Sequence, residues 1–73
     1  MKGDAKVETY RVLKSDGDCF CILLGEADLR RDALALAREH HGNGDDVQVW
    51  RVAKSGFDFC VAQGYANEDF SVM

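Results

Sequence analysis

Proline is absent from this chain of 73 residues, so its turns rest on Gly, Asp and Ser alone. Cysteine is scarce and odd in number. Three residues do not make the paired framework of a small secreted domain, and the expectation is reduced core thiols without disulfides. Long apolar runs are missing as well: no segment approaches the roughly twenty residues of a membrane span. Behind Met1-Lys2-Gly3-Asp4-Ala5-Lys6 there is no apolar stretch, so no signal peptide is expected. These absences make a reduced, cytoplasmic protein with no membrane partner the expectation. Bases are in deficit too. Thirteen acids against nine Lys and Arg leave a net charge of −4, which argues against a surface built to neutralise nucleic-acid phosphates.

What is present is a repeat. Val7, Arg11, Val12, Lys14 and Ser15 recur about forty residues later as Val47, Arg51, Val52, Lys54 and Ser55. With one residue dropped in the turn, Gly17, Phe20, Cys21 and Gly25 recur as Gly56, Phe59, Cys60 and Gly64, while Tyr10 answers Trp50. Residues 7–14 alternate as a strand, Ser15-Asp16-Gly17-Asp18 is a turn cluster, and 19–24 return as a second strand. Residues 47–54 and 58–62 repeat that pair.

Between the copies, Leu29, Ala33, Leu36, Ala37 and His40 fall on one helical stripe, with Glu26 and Asp28 in the first turn and His40 and His41 in the last. Gly42 is the expected stop. The fold class that follows is α+β, a single domain over 1–73 in the order ββαββ. It comprises hairpin 7–25, helix 26–41, hairpin 47–64 and tail 65–73, where Phe70 and Val72 alternate and could add a short edge strand. The helix should cover one face of an antiparallel sheet. The repeat predicts Tyr10, Val12, Phe20, Ile22, Trp50, Val52, Phe59 and Val61 on that covered face. Thr9, Arg11, Cys19, Cys21, Val49, Arg51, Asp58 and Cys60 should lie on the open one. The open face is mixed enough to suggest dimerisation or a partner.

Most chemistries fail on these residues. Cys19, Cys21 and Cys60 with His40 and His41 invite a zinc reading if the two return strands are neighbours. Yet structural zinc usually takes loop-borne Cys pairs, and His40 lies on the sheet-facing stripe, so no metal or other cofactor is expected. No cysteine sits in the turn context of a nucleophile, and Gly42-Asn43-Gly44 follows a helix instead of opening one as a phosphate loop does. An enzyme is not expected. Direct nucleic-acid binding by stacking needs aromatics on the open face, whereas the repeat places Tyr10, Phe20, Trp50 and Phe59 against the helix.

The acids remain as candidate binding residues. Asp16 and Asp18 lie in the first turn, Asp45 and Asp46 precede the third strand, Asp58 opens the fourth, and Glu68 and Asp69 lie in the tail. Carboxylates spaced like phosphates can occupy a Lys/Arg channel made for DNA or RNA. In size, acidity and architecture, though in no sequence motif, the chain resembles the phage-encoded anti-CRISPR proteins, many of them short acidic single-domain α+β proteins. The resemblance implies a non-catalytic inhibitor, a viral DNA mimic that blocks the basic nucleic-acid-binding surface of a ribonucleoprotein complex. From a different class, the alternative is a small homodimeric structural or regulatory module. A third reading is nucleic-acid binding through the open sheet. The inhibitor reading expects a monomer, the module reading a homodimer.

Overall fold

The computed structural model of this chain describes residues 8–53 and 58–73. Among them run β1 (Glu8–Ser15), β2 (Phe20–Ala27), α1 (Arg30–Gly42), β3 (Val47–Ala53), β4 (Asp58–Gly64) and β5 (Ser71–Val72). The fold is α+β, and all strands join one antiparallel sheet in the order β2-β1-β3-β4-β5. The expected ββαββ order holds, and the edge strand expected around Phe70 and Val72 is β5. Val7, Lys54, Ser55 and Gly56, four of the repeat positions, lie outside the described residues, as does the second turn.

The centre of the sheet is the β1–β3 pair, where the two copies meet. Tyr10 faces Arg51, Arg11 faces Trp50 and Val12 faces Val49. Residues paired across antiparallel strands share a face, so this register decides what the helix covers. The core is Tyr10, Val12, Val47, Val49 and Ala62 from the sheet, closed by Ala33 and Ala37 from α1. Two alanines on the helix allow it to lie close over the valines.

Here the expectation from the repeat fails. Trp50 and Val52, the counterparts of Tyr10 and Val12, point to the opposite face, and Val49 and Arg51, expected outside, are on the helix side. The reason is parity. The pairing is centred between residues, so Tyr10 meets the neighbour of its counterpart, and a one-residue offset reverses every side chain of a strand. The hairpins also differ in register. Val12 faces Gly25 in the first, whereas its counterpart Val52 faces Asp58 in the second. Bulges occur in both, after Val12 and after Lys14 in one and after Val49 in the other. Phe59, expected in the core, is 50% exposed beside Arg51, and Ile22 is 39% exposed.

The helix boundary moves as well. Gly25 does not end β2, which continues through Ala27 because Gly25–Ala27 keep pairing with Tyr10–Val12. A Cβ at Gly25 would stand 2.9 Å from Leu36 Cδ2, so the glycine lets the helix approach. Glu26 belongs to the strand, not to the first helical turn, and accepts a 2.8 Å bond from Arg11 Nε on the open face. Leu29 is the N-cap residue and half exposed; Ala33, Leu36, Ala37 and His40 form the stripe as expected. Gly42 closes the helix, and Gly44, at φ 97°, makes the turn into β3.

Candidate functional site

Antiparallel pairing brings the β1–β2 turn, the α1–β3 loop and the segment after β4 to the same end of the sheet. The end of β1 lies beside the start of β3, where Ser15 N donates to Asp46 O at 3.0 Å. The end of β4 lies there too, with Gly64 facing Val47. Asp16, Asp18, Asp45, Asp46, Glu68 and Asp69 are therefore collected at one pole. From β2 to β4 is three inter-strand steps, about 14 Å in all. Asp58 is not part of it: it faces Val52 at the opposite end, next to Thr9 of β1.

The pole is built from fixed parts. Asp16 Oδ1 accepts the backbone amides of Asp18 and Cys19, at 2.9 and 3.2 Å, and Gly17 takes the positive φ (111°) that this turn requires. Those amides favour the charged carboxylate and hold its pKa below the ordinary Asp value. The helix C-terminus ties down the other two segments. His40 Nδ1 lies 3.4 Å from Asp45 Oδ2, and Asp45 N donates to His40 O. His41 Nε2 lies 2.9 Å from Tyr65 O and 2.7 Å from Glu68 O; both are acceptors, so the proton is on this nitrogen. Asp46 Oδ1 accepts from Ala66 N at 2.6 Å. A Cβ on Gly64 would stand 2.8 Å from His41 and 2.9 Å from Phe70, so the glycine admits both rings.

Charge is thus divided within the pole. Asp16, Asp45 and Asp46 spend oxygens on the fold, while Asp18, Glu68 and Asp69 are exposed and hold no side-chain bond to another described residue. The negative end of the α1 dipole is added to them. Among the described residues, the sheet register brings Lys14 to this end, and Arg38 lies over the Phe70 ring at 5.3 Å on its flank. Arg30 and Arg31 stand at the other end of the helix, Arg30 donating to Met73 O.

The open face is the second candidate. Trp50 Nε1 donates to Gln48 Oε1 (2.9 Å) and Gln48 Nε2 to Gln63 Oε1 (3.4 Å) across it. Leu13 faces Leu23, which is 52% exposed, and Cys60 faces Trp50. Phe20 meets Tyr65 edge-on near the acidic end. Neither this aromatic pair nor the exposure of Trp50's face was evident from the repeat. The alternation Val47-Gln48-Val49 was the signal for Trp50.

The three cysteines do not converge on one site. The return strands β2 and β4 are separated by β1 and β3, so Cys60 is apart from the other two. Cys19 and Cys21 are exposed, not core thiols, and are joined to each other by a disulfide, which corrects the expectation of a chain without one. Cys60 is half-buried, and burial raises its pKa. On the outer side of α1 a shallow depression is lined by Arg31, Leu34, Ala35 and Arg38. No helix among the described residues is long and apolar enough to cross a membrane. No family model, no curated protein and no solved structure matches this chain.

Proposed function

We propose that this chain is a non-catalytic binding protein whose acidic pole occupies a basic, nucleic-acid-binding surface of a larger protein or ribonucleoprotein complex, in the manner of the anti-CRISPR inhibitors it resembles. The observation that carries the reading is the gathering of six acidic residues from three chain segments at one end of the sheet, where His40 and backbone amides hold the carboxylates of Asp16, Asp45 and Asp46 and His41 holds the backbone at Tyr65 and Glu68. Such a concentration of negative charge accelerates encounter with a basic partner. The partner surface is one lined with Lys and Arg that otherwise holds phosphates.

The test is capture from bacterial lysate on immobilised protein. The bound complex should be released by salt and displaced by an oligonucleotide. Charge reversal at Asp18, Glu68 and Asp69, the acids the fold does not use, should reduce capture at least about tenfold with the fold unchanged. Capture indifferent to salt and to charge reversal contradicts the reading.

A second reading rests on a separate observation, the uncovered face carrying Leu13, Leu23 and Trp50. A second copy docked there would make the module a homodimer. Light scattering distinguishes the two, and Trp50→Glu should dissociate such a dimer. Nucleic-acid stacking on Trp50 is weaker, because Arg11 on that face is already paired with Glu26. A gel shift with single-stranded oligonucleotides tests it.

A further inference from the structure

We propose that in its reduced form the first hairpin turn is a site for a thiophilic divalent cation, zinc(II) above all, with Cys19, Cys21 and Asp16 as ligands. The sulfur and carboxylate atoms of these residues all lie within 4.8 Å of one another, and all three residues are open to solvent. The Cα atoms of Cys19 and Cys21 are 5.5 Å apart and their side chains already converge, since they meet in a disulfide. Two sulfurs bound to one tetrahedral zinc at about 2.3 Å each stand about 3.8 Å apart, less than the 5.5 Å between the two Cα atoms.

The carboxylate is oriented for the task. Oδ1 of Asp16 is held by the amides of Asp18 and Cys19, while Oδ2 lies 3.7 Å from Cys21 Sγ and is turned towards the sulfurs. Such outer hydrogen bonds fix a ligand's direction before the metal arrives. The turn is pinned further by Asp16 N donating to Cys19 O at 3.0 Å and Gly17 N to Ser15 Oγ at 3.0 Å. The donor set S₂O suits zinc, and it leaves the fourth tetrahedral position for water or a group of a partner. The surrounding acids of the pole favour the cation electrostatically.

The disulfide and the metal exclude one another. A phosphine reductant opens the Cys19–Cys21 bond: phosphorus gives up two electrons and takes its oxygen from water, and the two water protons complete the thiols. One zinc then displaces both thiol protons. The bridge closes a short loop, so it adds little loop-closure stabilisation and the fold should persist without it.

The experiment is titration of the phosphine-reduced, full-length chain with zinc(II) against a chromophoric chelator, and with cadmium(II) followed by thiolate-to-metal charge-transfer absorption. One equivalent should bind with a sulfur band. Cys19→Ser and Cys21→Ser should each lose the band, Asp16→Asn should weaken binding about tenfold, and Cys60→Ser should change nothing. The air-oxidised chain should not bind. Amide spectra of each variant establish that it is folded, and X-ray absorption of the zinc form should count two sulfurs. The proposal is overturned by a reduced chain that cannot compete with the chelator, by equal binding of the oxidised chain, or by a band that vanishes in Cys60→Ser.

Discussion

The two hairpins of this protein share a sequence pattern but not a set of inward-facing residues. In β1 the helix takes Tyr10 and Val12; in β3 it takes Val47 and Val49 and leaves the counterparts Trp50 and Val52 outside. A repeated pattern therefore transmits strand and turn, which depend on local alternation and on Gly and Asp. It does not transmit the face, which depends on how the copies are registered against each other. The glycines show the converse. Gly25 and Gly64 are counterparts and both face the helix side, opposite Val12 and Val47, although their hairpins are paired differently. Each lies where a helix side chain approaches within van der Waals distance.

Substitution can break this comparison. The largest effect is expected at Val49, fully buried on the helix side. Val49→Asp places an unpaired charge in the core, which a domain of this size should not survive, so the cooperative thermal transition should vanish. Trp50→Gln on the other face should keep it. Next come the counterpart aromatics. Tyr10→Ala should cost about 3 kcal/mol and Trp50→Ala about 1 kcal/mol in chemical denaturation, because only the first empties a core position. Equal costs would mean that both copies bury the same face.

The glycines should respond less. Gly64→Ala meets the rings of His41 and Phe70 and should cost about 2 kcal/mol, whereas Gly25→Ala meets only the tip of Leu36 and should cost under about 1 kcal/mol. Smallest in stability, though not in binding, is the charge reversal of Asp18, Glu68 and Asp69, expected within about 0.5 kcal/mol of the parent. A pH titration sharpens the contrast between the turns. Asp16 has a lowered folded-state pKa, so its contribution is present at neutral pH and is lost as pH falls through that lowered value. Asp16→Asn should remove that part of the acid dependence, read from amide shifts of Asp18 and Cys19.

Much of the architecture was legible from residues alone. Gly, Asp and Ser clusters marked the first turn, Leu36 and the alanines at 33 and 37 marked the helix face, and Phe70 with Val72 marked the edge strand. The fate of Trp50 was legible only locally: Val47-Gln48-Val49 alternates with valine inward, and the repeat overrode it. Glu26 read as a helix-start acid because its strand partner, Arg11, is fifteen residues away and visible only after pairing. The gathering of acids at one pole depends on strand order, which no local pattern encodes. Asp58 falls outside it because it opens β4, at the far end of that strand from Gly64. The Cys19–Cys21 pair was read through its strand alternation, but the bulges and the turn bring the side chains together with Asp16.

The β1–β3 register is what places Trp50 outside, and cross-strand proton contacts measured by NMR test it most directly. The expected result is backbone contacts of Arg11 with Trp50 and of Ser15 with Asp46. Contacts pairing Arg11 with Arg51 instead would return Trp50 to the helix face and contradict it.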